Sequence, residues 1–154
     1  MRYIFLLFIT TFSFAQQTQK VDFISMNGLV VPNAIEKSIS GKIKYDFIVL
    51  SVIDTIKIDA KKMEFSSVKI NGSKVKFKNS GKQLQLFEGF KIGKNNLSFE
   101  YKATPKQTLY FTGEGENLQI WTQGQGKDTS HWLPSFDDVN EKVIFNLHII
   151  HENN

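Results

Sequence analysis

The ten residues from Val68 to Phe77, which read Val-Lys-Ile-Asn-Gly-Ser-Lys-Val-Lys-Phe, decide the fold class. Apolar residues alternate with lysines on both sides of Asn71-Gly72, and a period of two is typical of a half-buried strand. Asn-Gly is a preferred pair in two-residue β-hairpin turns. The segment therefore predicts two antiparallel strands, with Val75 and Phe77 facing inward on the second.

The same period of two continues on either side of this hairpin. Ile43, Tyr45, Phe47 and Val49 alternate with mostly polar neighbours. No window of a dozen residues has the 3.6-residue period of an amphipathic helix. Further strands are predicted at 56–59, 84–87, 97–103, 109–111, 118–121 and 142–150. These patterns predict an all-β fold, either a curved, saddle-like sheet or a β-sandwich, with mixed and antiparallel strands.

Composition limits the classes of function that the chain can have. The 154 residues carry a formal net charge of +4 and include no cysteine. The lysines are spread along the chain, which argues against a nucleic-acid-binding surface. The phenylalanines of the strands, such as Phe47 and Phe99, predict core packing rather than base stacking. Since the chain has no disulfides, its core must hold it together, and its length favours one domain.

Residues 1–15 have the composition of a secretory signal peptide. Arg2 precedes an apolar run, and Ser13-Phe14-Ala15 offers small residues for cleavage. Cleavage before Gln16 would leave a domain of residues 16–154, exported to the periplasm or the extracellular space. The alternative is a retained N-terminal anchor. The apolar run is shorter than the roughly 20 residues of a spanning helix, so no stable membrane anchor is expected.

Residues 121–147 form the second informative segment. They read Trp-Thr-Gln-Gly-Gln-Gly-Lys-Asp-Thr-Ser-His-Trp-Leu-Pro-Ser-Phe-Asp-Asp-Val-Asn-Glu-Lys-Val-Ile-Phe-Asn-Leu. This pattern resembles the substrate-facing loop and the following strand in the N-terminal domain of aminopeptidase N-type zinc metallopeptidases, the gluzincins. The upstream segments 40–47, 56–60 and 68–72 are similar to that family in the same order.

The resemblance implies a part in the zinc-dependent removal of amino acids from peptide N-termini. In the family the zinc lies in a later domain with an H-E-x-x-H helix, so this chain is expected to contain no cofactor or catalytic residue. The domain is then incomplete at its C-terminus and inactive alone. Its expected partners are peptide N-termini and the missing catalytic domain. The alternative is a free-standing, secreted, non-catalytic β-sandwich that binds a partner.

Gln123 and Gln125 match the two family positions that face the active-site cleft, which implies that they bind substrate. A free peptide N-terminus is an ammonium with three donors, and it needs acceptors when it is desolvated. Side chains at i and i+2 of an extended segment share a face. Gly124 and Gly126 let the backbone run close to a ligand. The alternative is a solvated surface turn that is rich in Gln and Gly.

Further residues of the segment match the family and are expected to brace this loop. An aromatic ring buries, a proline fixes the backbone, and aspartates cap turns or pair with Lys142. Together with the two glycines, the supporting residues are Asp128, Trp132, Pro134 and Asp137. Ser130 stands where the family usually has Arg. The loss of a bidentate partner for the aspartates predicts weaker support.

The three histidines do not predict a metal site. His148 and His151 are three residues apart, and on a strand this spacing places their imidazoles on opposite faces. His151-Glu152 resembles the start of H-E-x-x-H, but no second His follows. His131 is predicted to pack within the loop beside Trp132.

Overall fold

The computed structural model describes residues 17–151, so the predicted signal peptide lies outside the described residues. In this part of the chain no helix is long and apolar enough to cross a membrane. Short 3-10 turns occupy Gln17–Gln19, Gly115–Asn117 and Thr129–His131. The strands are β1 (Val21–Asn33), β2 (Ser38–Val49), β3 (Ile56–Asp59), β4 (Met63–Ile70), β5 (Ser73–Lys74), β6 (Phe77–Asn79), β7 (Gln83–Leu86), β8 (Gly93–Ala103), β9 (Leu109–Thr112), β10 (Gln119–Thr122) and β11 (Ile144–Ile149).

The strands form three sheets. The largest has the order β11-β1-β2-β8-β4-β5, a second has the order β3-β7-β6, and β9 pairs with β10 alone. β11 runs parallel to β1, whereas the other pairs of the large sheet are antiparallel. The prediction of an all-β fold with mixed and antiparallel strands is confirmed.

The hydrophobic core lies between the large sheet and the three-stranded sheet. On β2 the alternating residues Ile43, Tyr45 and Phe47 are buried, because every second side chain points to the same face. From the three-stranded sheet, Ile58 and Leu84 are fully buried in the same cluster. Burying one such aliphatic side chain contributes about 1.5–3 kcal/mol to the free energy of unfolding. The packing of the two sheets therefore stabilises the fold without disulfides.

The predicted hairpin is confirmed at its turn but not along its second strand. Asn71 and Gly72 have φ values of 52° and 82°, as a type I′ turn requires. β5 then ends after two residues, and Phe77 belongs to β6 in the three-stranded sheet. The prediction that Phe77 faces inward is wrong, since 38% of its surface is exposed. The Val75 amide still donates to the Val68 carbonyl at 3.3 Å, and the Lys76 amide donates to Glu88 Oε1 at 2.9 Å where the chain leaves β4 for the three-stranded sheet.

Two buried tyrosines of the core differ in how their hydroxyls are used. The Tyr45 hydroxyl donates to the Pro134 carbonyl oxygen at 2.7 Å. The Tyr101 hydroxyl is buried and has no hydrogen-bond partner among the described residues. Burial raises the pKa of both phenols above the ordinary value, so both stay neutral.

We expect Tyr45→Phe to lower the free energy of unfolding by about 1–2 kcal/mol, because the Pro134 carbonyl would lose its buried donor. Tyr101→Phe is the matched control and should be neutral or stabilising, since it removes a hydroxyl that has no hydrogen-bond partner among residues 17–151. Urea denaturation of the two variants measures the difference. Equal losses in both variants would contradict the assignment.

Candidate functional site

The candidate site is the loop of residues 123–137, called here the 123–137 loop, between β10 and β11. At its start the backbone N–H of Gln123 donates to the Thr108 carbonyl oxygen at 2.9 Å. The hydroxyl of Thr122 donates to the same oxygen at 2.7 Å. Thr108 Oγ1 in turn donates to the Asp128 carbonyl at 3.2 Å. Thr108 is buried and has a φ of 69°. One buried threonine therefore holds the loop on both sides of its tip.

The second half of the loop is fixed to the core. Trp132 and Leu133 are buried in the hydrophobic cluster. Ser135 forms an isolated antiparallel bridge with Asp59 at the end of β3, through backbone hydrogen bonds of 2.9 and 3.0 Å. The Asp137 amide then donates to Asp59 Oδ2 at 2.8 Å. These contacts confine the loop from Ser130 onwards.

Lys61 supplies the positive charge for the loop. Its ammonium lies 3.1 Å from Asp137 Oδ2 and 3.9 Å from Asp128 Oδ1, and it donates to the Lys127 carbonyl at 2.7 Å. The prediction that the aspartates pair with Lys142 is therefore wrong. Lys61 follows β3, which the Asp59 bridge already holds against the loop, whereas Lys142 lies beyond the loop and is exposed.

Ser130 does not leave the loop unsupported. This fully buried serine donates from Oγ to Asp137 Oδ2 at 2.8 Å. Together with Lys61 it provides two of the donors that an arginine at this position would offer. Both contacts reach only Oδ2 of Asp137, so the weaker support stays a prediction. Two polar atoms of the loop, Asp137 Oδ1 and Trp132 Nε1, are buried without a hydrogen-bond partner among the described residues.

The tip of the loop, residues 123–127, is exposed. Gly124 passes so close to Thr129 that a Cβ there would lie 2.7 Å from Thr129 Oγ1. Gly126 has a φ of 76°, which a residue with a side chain rarely adopts. Both glycines are thus required by the turn itself. The side chains of Gln123 and Gln125 point into solvent, and their role in binding substrate stays a prediction.

His131 packs within the loop, as the sequence predicted. Its Nε2 lies 2.9 Å from Gln107 Nε2 and 3.7 Å from Asp128 Oδ1. Burial, and after it the charge of Lys61, lower the pKa of this imidazole. Within residues 17–151 no three His, Cys, Asp or Glu side chains come together as a metal site would require.

The functional contacts that sequence analysis missed are Tyr45, Asp59, Lys61 and Thr108. Each lies on a different strand or turn and at least 15 residues before its partner in the loop. Tyr45 is part of the buried alternation of β2, and Tyr45 and Asp59 lie in the segments 40–47 and 56–60 that resemble the family, but neither signal connects them to the loop. The positions of all four follow from sheet topology, which the sequence pattern alone does not determine.

Comparison with known proteins shows which family this chain matches and which solved structures share its fold. Residues 24–154 match the family model of the peptidase M1 N-terminal domain. Leukotriene A4 hydrolase from Saccharomyces cerevisiae superposes with a TM-score of 0.76 at 18% identity, covering 86% of this chain and 24% of that one. An M1 zinc metallopeptidase from Deinococcus radiodurans gives 0.74 at 15% identity, covering 86% and 33%. A search of curated proteins gives no match.

The family match, together with the all-β fold, defines the class as the β domain of a zinc peptidase. The chain belongs to the peptidase M1 family, and residues 24–154 form its N-terminal domain. The chain spans about a quarter to a third of the length of the solved structures that it matches. The zinc of these peptidases belongs to their catalytic domain, and the described residues of this chain offer no group to hold it.

We expect Lys61→Met to loosen the 123–137 loop. The substitution keeps an apolar stem but leaves the mostly buried Asp137 carboxylate without its cation. The free energy of unfolding should fall by about 1–2 kcal/mol, a modest value because Lys61 is partly exposed. Limited proteolysis should also cut faster within residues 123–128.

The matched control for this experiment is Lys57→Met on β3. Lys57 is exposed on β3, and its backbone bonds to Gln17 rather than to the loop. If the two variants have the same stability and the same rate of cleavage, Lys61 does not anchor the loop.

Proposed function

We propose that residues 16–154 are the N-terminal domain of an exported zinc-dependent aminopeptidase. In this proposal the domain walls one side of the active-site cleft and contacts the amino end of the peptide substrate. The observation that carries the proposal is the 123–137 loop, whose tip is exposed although its two flanks are bonded to the core. A fixed base with a free tip suits a surface that must meet a ligand in a defined position.

The chemistry of the tip agrees with this role. Each Gln side chain carries a carbonyl oxygen that accepts and an amide that donates. The carbonyl oxygens of Gln123 and Gln125 would accept hydrogen bonds from the substrate ammonium, and the amides would donate to its backbone. Neither residue is charged, so the neutralising charge and the zinc-bound water would come from the catalytic domain. A solved structure of the D. radiodurans peptidase mutant bound to a Tyr-Ser-Ala substrate, with a TM-score of 0.73, is one of the similar folds.

A free-standing binding module is the second candidate function, and the edge of the large sheet argues against it. β11 is an edge strand, and Ile144 and Ile149 on it are 71% and 65% exposed. Long apolar edge strands promote aggregation unless something covers them. A domain that packs against further polypeptide at this edge accounts for these residues, whereas an isolated secreted module does not.

Export is part of the proposal and rests on residues 1–15, with their Arg2, apolar run and small residues before Gln16. The absence of cysteine means that passage into an oxidising compartment needs no disulfide formation. Amino-terminal sequencing of the protein from its source tests this part, and we expect the mature chain to begin at Gln16.

We predict that the chain alone binds no stoichiometric zinc and does not turn over an aminoacyl-p-nitroanilide. The described residues contain no group of three His, Cys, Asp or Glu side chains that could hold a metal ion, and the proposed chemistry is zinc-dependent. Metal analysis and a colorimetric assay on the purified chain check both points. Chelator-sensitive aminopeptidase activity from this polypeptide alone would contradict the proposal.

We further predict that Gln123→Ala, in the enzyme that contains this domain, lowers kcat/KM for peptides with a free amino end by about 10- to 100-fold. This range corresponds to one lost hydrogen bond to a charged group, about 1.5–3 kcal/mol. Gln125→Ala should have an effect in the same direction. Gln119→Ala is the control, since Gln119 is exposed on β10 beside the loop. Unchanged kinetics in both loop variants would remove the substrate-binding role.

A further inference from the structure

A pocket of about 240 Å³ lies beneath the end of the 123–137 loop and is called here the Glu141 pocket. The walls are mostly apolar side chains from β1, the loop and the segment that leads into β11. Three polar residues and the Tyr45 ring also line it. The lining residues are Met26, Tyr45, Thr129, Leu133, Ser135, Phe136, Glu141, Val143 and Phe145.

Two polar atoms of this pocket have no hydrogen-bond partner within residues 17–151. Glu141 Oε1 accepts a hydrogen bond from the Phe23 amide at 3.2 Å, next to the irregularity where β1 shifts its register against β2. Glu141 Oε2 and Ser135 Oγ are buried and bond to no described residue. Buried polar atoms are nearly always hydrogen-bonded in native proteins, so each of these two atoms needs a partner that the described residues do not supply, and both residues line the same pocket.

No cation of the described protein supplies that donor. Burial raises the pKa of Glu141, and the like charges of Asp22 on β1 and Asp138 in the loop raise it further. The Tyr45 hydroxyl on β2 donates its proton to the Pro134 carbonyl oxygen and so does not donate to Glu141. The charged groups around Glu141 thus share its sign, and the site attracts a positive ligand and repels anions.

The shape of the pocket selects the kind of cation. A carboxylate oxygen and a hydroxyl can together take two of the three donors of a primary ammonium. The walls formed by Phe136, Val143 and Phe145 suit an alkyl stem rather than a hydrated ion. Phe145 is 63% exposed, so the pocket is reached from the side of β11.

We propose that the Glu141 pocket binds a primary alkylammonium group, with the nitrogen held by Glu141 Oε2 and Ser135 Oγ and the stem against the aromatic wall. A free amine and a lysine side chain of another polypeptide both carry this group. The proposal does not depend on the proposed function, because it concerns residues other than Gln123 and Gln125.

The test is an NMR titration of the full chain with butylammonium chloride. We expect saturable binding with a Kd on the order of 1–10 mM, as small ligands permit, and shifts at the Phe23 and Ser135 amides. Glu141→Gln should weaken binding at least tenfold. Glu116→Gln, the same change at an exposed glutamate, should leave binding unaltered. No saturation, equal binding to Glu141→Gln, or equal binding of neutral butanol would each overturn the proposal.

Two peptides distinguish the sources of the ammonium. One is acetylated at its N-terminus and contains a single lysine, and the other has a free N-terminus and no lysine. Competition with butylammonium by the first alone assigns the pocket to lysine side chains. Competition by the second alone assigns it to free amino ends. If neither competes, the pocket takes small free amines.

The pH dependence gives a readout that separates binding from misfolding. The folded-state pKa of Glu141 lies above its unfolded value, so the charged carboxylate destabilises the fold at neutral pH. This cost disappears as the pH falls through the folded pKa towards the unfolded one. Glu141→Gln should therefore be more stable than the wild type at neutral pH and equal to it in acid. Butylammonium should raise the melting temperature of the wild type at neutral pH only, and an equal rise in Glu141→Gln would contradict the site.

Discussion

The hydrogen bond from the Tyr45 hydroxyl to the Pro134 carbonyl is the constraint on which the candidate site depends. Tyr45 lies on β2, which pairs with β1 on one side and β8 on the other. Its ring packs edge-on against Phe23 and Phe136. A loop residue that bonds to such a position cannot move without disturbing the centre of the large sheet. This hydrogen bond therefore restricts the motion of the 123–137 loop at Pro134.

The three-stranded sheet completes the fixation from the other side. Asp59 and Lys61 lie at and just after the end of β3, where the three-stranded sheet meets the loop. Asp59 accepts the Asp137 amide, and Lys61 pairs with Oδ2 of the Asp137 carboxylate. The stiff base allows the tip at residues 123–127 to remain exposed without collapsing onto the surface. The same chain path carries Glu141 beneath the loop, so the braced loop and the amphipathic pocket are consequences of one packing arrangement.

The sequence predicts the parts of this structure that depend on local pattern. The turn at Asn71-Gly72 and the inward face of β2 follow from neighbouring residues, and the loop residues follow from a family pattern. The wrong predictions concern partners that are distant in the chain. Phe77 continues the alternation of its segment, but the chain crosses to another sheet. Lys142 is near the aspartates in sequence, whereas Lys61 is near them in space because the Asp59 bridge brings β3 to the loop.

Amide hydrogen exchange across residues 120–140 tests the central claim most directly. If both flanks of the loop are anchored to the core, the Ser135 and Asp137 amides, which bond to Asp59, should exchange only through unfolding of the domain. The amides of Gly124, Gln125 and Gly126 should exchange orders of magnitude faster in the same sample. Uniformly fast exchange from Gln123 to Asp137 would contradict the account, since the loop would then be mobile as a whole.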